Sequence, residues 1–309
     1  MKQIIPLVPR KKAASGSAEQ LPLFSDLYEL CRLTPETNIQ FAQHETARHA
    51  VSLSGGLASA LAAKRVIERY GRENVMLWFA DVLYEDEDLY RFLHDFMRQV
   101  GGRLYWYTDG RTPLQVAEER KLIPCDLVAP CSYELKVRPF REFIQAMPAL
   151  PVVYIGYDPD ETTRQCNTTA SYAQAIPAAQ VDYPLTWEPQ ETRSLLQVCK
   201  EEWGIEPPRL YQLGFDYNNC GGRCCRNGIK AWVRLAYFMP ERFEACAAWE
   251  QAQRDKGGAR AKRSFAGRQV DGKKRPLPLY ELREIYLPKA EKLLKLDQGA
   301  NASARAKGR

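Results

Sequence analysis

The stretch Ala50-Val51-Ser52-Leu53-Ser54-Gly55-Gly56-Leu57-Ala58-Ser59 decides the fold of this chain. Its first four residues make a short β-type run. Leu57, Leu61, Ala62, Val66 and Ile67 then recur at helical spacing as far as Tyr70, and Gly71 supplies a C-terminal stop. A diglycine bend between strand and helix lets the backbone approach an anion closely. The helix behind it presents unpaired N–H groups and the positive end of its dipole. Ser54 and Ser59 add hydroxyl donors. No lysine follows the glycines, so this is not a Walker loop, and no Gly-x-Gly-x-x-Gly marks a dinucleotide fold. Taken alone, the loop also reads as a ligand-free glycine turn.

The alternation continues outward. Residues 75–79 form a second apolar run of strand length, and 86–100 read as a helix with acidic residues in its first turn and Gly101-Gly102 at its end. Residues 103–107, 152–155 and 181–183 are further strands. The expectation is an α/β domain over 49–213, a parallel sheet with helices on both faces. Residues 1–48 form an N-terminal extension in which 21–33 is expected to pack as a short helix. After Pro207-Pro208 the character changes to a Cys-containing, small helical region over 214–297, with helices at 228–238 and 240–254. The tail, 298–309, is expected to be disordered. Residues 254–275 carry nine Lys or Arg against Asp255 and Asp271. Such a segment either neutralises nucleic-acid phosphates or is a solvated, mobile loop.

With 309 residues and 45% hydrophobic content the chain can bury a full core, and its net charge is a modest +6. No apolar run spans a bilayer and the start lacks a secretory h-region, so a cytoplasmic protein with no membrane partner is expected. There, nine cysteines read as thiols, metal ligands or catalytic groups. Cys220, Cys224 and Cys225 crowd one glycine-rich loop, and Cys131 lies far off with Cys125 six residues before it. Clustered thiolates need a metal or electrophile to share their charge. A [4Fe–4S] cluster is favoured, with Cys131, Cys220 and Cys224 as ligands and either Cys225 or an open iron as the fourth position. A structural Zn²⁺ site and a catalytic persulfide on Cys225 or Cys125 are the alternatives. Cys31, Cys166, Cys199 and Cys246 read as small hydrophobes, and the three histidines receive no role.

Several segments together resemble the PP-loop, or N-type ATP pyrophosphatase, superfamily (HUP-like, Rossmann-related), in its phosphoadenosine phosphosulfate (PAPS) reductase-like branch. The loop Ser54-Gly55-Gly56-Leu57-Ala58-Ser59 is similar to its SGG-x-x-S signature. Phe79-Ala80-Asp81 with Tyr84-Glu85, and Cys131-Ser132-Tyr133-Glu134-Leu135-Lys136-Val137-Arg138-Pro139, resemble two further segments. So do Gly156 with Glu161 and Arg164, and Asn218-Asn219-Cys220-Gly221-Gly222-Arg223-Cys224. The resemblance implies ATP and Mg²⁺ as cofactors, with Ser54, Gly55, Gly56, Ser59, Asp81, Glu85 and Gly156 binding them. It also implies Lys136, Arg164 and Asp81 as catalytic groups. Cations and Mg²⁺ suit attack at an α-phosphate, where negative charge builds as pyrophosphate leaves. One departure stands out: the usual Asp before the last Ser is Ala58, so if that Asp helps hold Mg²⁺, either Asp81 or Glu85 must substitute or turnover is weak.

The implied function is ATP-dependent adenylylation of an acceptor followed by sulfur transfer. It resembles the ATP pyrophosphatase component of DNA phosphorothioation (Dnd and Ssp) systems. DNA or another nucleic acid would be the acceptor and a cysteine desulfurase the sulfur donor. A sulfonucleotide (PAPS/APS) reductase is the alternative, although those enzymes use a C-terminal nucleophilic cysteine and none follows Cys246. A nucleotide-binding sensor without turnover is the third reading, supported by Ala58.

Overall fold

The computed structural model describes residues 28–125, 128–188 and 194–294. Six parallel strands form one sheet: β1 (Tyr28–Leu33), β2 (His49–Ser52), β3 (Val75–Asp81), β4 (Gly102–Thr108), β5 (Val152–Ile155) and β6 (Gln180–Asp182), in the order β1-β4-β3-β2-β5-β6. All six residues of β1 pair in parallel with residues 102–107. The helix expected over 21–33 is therefore a strand across its described part. Cys31 and Leu33 point inward from it while Arg32 stays exposed. The edge of β4 offers an unpaired ladder, and that tertiary partner overrides local helix preference.

Every residue of β3 is buried. Val75, Leu77 and Phe79 join one core with α2 (Leu57–Tyr70), α3 (Glu87–Val100) and α8 (Leu195–Glu201). Met76, Trp78 and Ala80 join a second core with α1 (Pro35–Ala42), α6 (Arg138–Ala146) and α7 (Thr162–Ala175). Strict alternation across a strand buried on both faces is what places helices on both sides of the sheet. Three shorter elements, α4 (Pro113–Glu119), the single turn α5 (Pro130–Ser132) and a π-turn (Tyr133–Val137), lead into α6.

The C-terminal region has its own core. It is built from α9 (Arg209–Gln212), α10 (Ile229–Phe238), α11 (Pro240–Asp255), the hairpin β7 (Ala266–Val270) and β8 (Lys273–Leu277), and α12 (Leu279–Tyr286). Glu250 of α11 accepts the backbone N–H of Phe265 at 2.6 Å and of Leu279 at 2.7 Å, tying both flanks of the hairpin to the helix. Residues 266–277 are thus no mobile loop. Asp271 (φ 50°) and Gly272 (φ 71°) turn the chain, the Asp-Gly chemistry that a two-residue hairpin turn demands. Among the described residues no helix is long and apolar enough to cross a membrane.

Candidate functional site

The chain runs from β2 outward to β3 and β4, then returns to place β5 on the other side of β2. That reversal is a topological switch point, and in such sheets the crevice at the carboxyl ends of the strands is where ligands sit. The loop 54–59 lies there, at the end of β2. Gly55 takes φ +77°, and a side chain on it would strike Leu89 at 2.9 Å. Gly56 is the N-cap of α2. Ser59 Oγ accepts from Ser54 N at 3.0 Å and donates to Gly56 O at 2.9 Å, with Ser54 Oγ 2.9 Å away, so the bend is stapled by its own hydroxyls. The Leu57 N–H points instead to Tyr211 Oη, 3.3 Å away. Gly156, at the end of β5, abuts the same bend: a Cβ there would lie 2.7 Å from Ala58 O and Ser59 Cα. Its visible task is close backbone packing behind the loop.

Asp81 ends β3 with 8% of its surface exposed. One carboxylate oxygen accepts from Leu83 N at 2.9 Å and Tyr90 Oη at 2.8 Å, the other from Trp106 Nε1 at 3.0 Å. These bonds hold Leu83 in its left-handed conformation (φ 54°). Glu85 is likewise engaged: one oxygen takes Lys136 Nζ at 3.2 Å and the other the Cys220 N–H. Burial pushes the Glu85 carboxyl up, against the lowering pull of Lys136. Burial alone would lower Lys136, but Glu85, Cys220 and Cys224 hold its ammonium above the ordinary value. Both carboxylates expected to replace the missing Asp at Mg²⁺ are committed to protein donors. The residues present do not fit a protein-held Mg²⁺.

Lys136 brings the cysteines together. Cys131, on α5, and Cys220, Cys224 and Cys225, on the glycine-rich loop, form one continuous set. Cys225 donates to Cys131 and Cys224, and Cys220 donates to Cys224. Those donated S–H groups push the Cys224 thiol down to about 3. Cys131 is lowered by its bond from Cys225, while donation and burial raise Cys220 and Cys225. Cys220, Gly221 and Gly222 take φ values of 53°, 57° and 81°, a run of left-handed residues that turns the loop tightly. All cysteines among the described residues are free thiols. No group of three or more His, Cys, Asp or Glu side chains among the described residues is spaced to hold a metal ion. Cys31, Cys199 and Cys246 are buried as expected of small hydrophobes, but Cys166 is exposed on α7, because α7 buries only Tyr172 along its length.

Arg164 stands apart from this cluster. It pairs with Glu161 at 2.7 Å and lies 4.2 Å over the Tyr157 ring. Lys136 and Arg164 are thus held by different carboxylates, one at the thiols and one beyond β5. Several residues that the motifs pass over build the site. Arg242 reaches Asp86 at 2.6 Å, Glu87 at 2.7 Å and Gly221 O at 3.3 Å. Arg209 pairs with Asp86 and Glu87, which seats α9 and with it Tyr211. Asn218, two residues before Cys220, is buried with both amide atoms unpartnered. An orphaned amide of this kind costs about 1–3 kcal/mol unless a ligand or water satisfies it. Asn218 opens a segment that the sequence already singled out, but Arg242, Arg209 and Tyr211 carry no local sequence signal, since a lone Arg or Tyr on a helix is commonplace.

No family model and no curated protein matches the chain. Among solved structures it is similar to phosphoadenylyl-sulfate (PAPS) reductase from Candida auris in a phosphate complex. The identity is 15% and the TM-score 0.37, over 60% of this chain and 86% of that chain. A likeness of that size assigns no activity.

Proposed function

We propose that this chain is an ATP pyrophosphatase that activates an acceptor for sulfur transfer, the acceptor being a nucleic-acid backbone as in DNA phosphorothioation. One observation carries this reading. The turn between β3 and α3 together with the first turn of α3 touches both halves of the site, with Leu89 of α3 against Gly55 of the phosphate loop and Glu85 of the turn against Lys136 and Cys220 of the thiol cluster. A nucleotide loop and a sulfur-handling cluster braced by one short segment, 82–89, suit a reaction that must activate and thiolate the same acceptor.

In this reading the amides of the bend and the hydroxyls of Ser54 and Ser59 hold the triphosphate. An acceptor oxygen attacks the α-phosphorus, the bond to the β-phosphate oxygen breaks, and pyrophosphate leaves. The acceptor then carries AMP as a leaving group. Hydrosulfide, released from the persulfide of a cysteine desulfurase by a dithiol reductant that is oxidised to its disulfide, then forms the new bond to the acceptor as AMP departs with the former acceptor oxygen. Arg164, in the first turn of α7, would leave Glu161 to neutralise phosphate charge. Lys136 serves the thiols.

The reading carries a [4Fe–4S] cluster as its cofactor, supported by the donor chemistry of four thiols from two segments, one ammonium beside them and the unsatisfied Asn218 amide two residues from Cys220; the thiols would have to draw together to ligate it, since they are not spaced as metal ligands here. Cys131, Cys220, Cys224 and Cys225 would hold the cluster, which when bound supplies a site for labile sulfur. Lys136 offsets thiolate charge, and Glu85 fixes both Lys136 and the Cys220 backbone.

The deciding measurement is the product pattern from α-labelled ATP with Mg²⁺ and DNA. Equal amounts of AMP and pyrophosphate, lost in a Gly55→Val variant, are expected. Release of inorganic phosphate would overturn cleavage between the α- and β-phosphates. Tight ATP binding with no product would instead favour the non-catalytic sensor, for which Ala58 already speaks.

A further inference from the structure

We infer that the β7–β8 hairpin is a nucleic-acid-docking ribbon that grips the phosphate backbone. The register sets Arg268 opposite Arg275 and Val270 opposite Lys273. Directly opposed residues share a face, as do residues two apart along a strand, so Arg268, Lys273 and Arg275 lie on one face of the ribbon. Lys274 takes the other face beside Gly267, where it lies close enough that a Cβ on that glycine would meet its Cε at 2.7 Å.

Nothing in the folding of the hairpin calls for this arrangement. Like charges set directly across a ladder destabilise it. Arg268 is offset by Glu281, 2.7 Å away, but Lys273 and Arg275 pair with no carboxylate among the described residues. The hairpin is anchored at its base, where Ala266 and Leu277 enter the C-terminal core, and by the Arg268–Glu281 pair. Beyond that base, 273–276 are all exposed. A ribbon held at its base that carries exposed Lys273 and Arg275 on one face is built to meet an anion outside the protein.

The shape narrows the partner. Five residues per strand give a two-stranded ribbon about 17 Å long, and the major groove of B-DNA admits an element of that kind. Duplex DNA presents one charge per about 1.7 Å of axis, so the three cations of one face find phosphates without stretching. A lipid surface fits less well: Val270, 37% exposed, is the ribbon's one apolar residue at the free end. Double-stranded DNA is therefore the partner assigned. The inference rests on the nucleic-acid acceptor proposed above and locates where that acceptor is held.

The test compares the full-length protein with a Lys273→Gln/Arg275→Gln variant. The readout is binding to a 30-base-pair duplex between 50 and 200 mM salt. Because these side chains are exposed, the melting temperature should not move. Affinity should fall at least tenfold at low salt, and the slope of log K against log salt should flatten by about 2. Unchanged affinity and slope would overturn the inference. So would loss of binding to phosphatidylserine vesicles alone, which would reassign the ribbon to membranes. Pyrophosphate release with DNA at a concentration that saturates both proteins, measured in parallel, separates the two readings. An inactive wild type that still loses DNA binding in the variant refutes the proposed reaction and keeps the ribbon.

Discussion

Replacing Gly156 by Ala tests whether the bend at residues 54–59 works as a rigid seat. An added Cβ would stand 2.7 Å from Ala58 O and Ser59 Cα and 2.9 Å from Ala58 C, all backbone atoms. Ordinary contact begins near 3.4 Å, so the bend must retreat by about 0.7 Å. No side chain can swing away to relieve this. Overpacking of that kind costs about 1–3 kcal/mol. For a domain of this size each kcal/mol lowers the melting temperature by about 2–4 °C, so a drop of roughly 2–12 °C is expected. Displacing the loop should hurt turnover more than stability, because an error approaching 1 Å at a reacting centre costs on the order of 10²-fold. Calorimetry together with pyrophosphate release reads both effects. Gly228→Ala is the control, since nothing lies within 4 Å of its Cβ position. If Gly156→Ala melts and turns over like that control, close packing behind the loop is not what shapes it.

Tyr211→Phe frees the Leu57 amide, and ATP should bind severalfold tighter by titration calorimetry; weaker binding would make the hydroxyl a ligand contact instead. Glu250, pushed up to about 7 by burial against the lowering effect of two backbone N–H groups, holds its proton longer in the folded state. Its contribution to stability is therefore full below about pH 4.3 and is lost as pH rises toward 7, by about 3 kcal/mol. Denaturation midpoints of wild type and Glu250→Gln at pH 5 and 8 should differ in pH dependence by that amount, and parallel profiles would refute it. In the metal-free protein Cys224 is the thiolate, so iodoacetamide at pH 5 should label it ahead of the other thiols by peptide mapping. Lys136→Met should shift that labelling to higher pH, and an unreactive Cys224 would contradict the charge assignment. Asp81→Asn forces an amide N–H₂ against a donor, Trp106 Nε1 or Leu83 N, and should cost about 1–3 kcal/mol in denaturant unfolding; a neutral result would show that the three bonds are dispensable.

The sequence by itself determined what depends on neighbours in the chain. The β2–bend–α2 unit follows from Gly55-Gly56 between an apolar run and a 3.6-residue period, and Gly71 and Gly101 mark helix ends because they tolerate positive φ. The uninterrupted apolar run of β3 already required burial on both faces. Asp271-Gly272 was also a legible hairpin signal, masked by the charge density around it. Tertiary structure alone decided the rest. Tyr28–Leu33 becomes a strand because β4 offers it a ladder. Cys131 meets the 220–225 loop across some ninety positions because Glu85 clamps Lys136 and the Cys220 amide together. Asp81 and Glu85 look like free metal ligands as letters, yet folding brings each its donors from β4, α3 and the cysteine loop. Periodicity and backbone sterics are local properties; which groups share a buried charge is settled only by the elements that close around them.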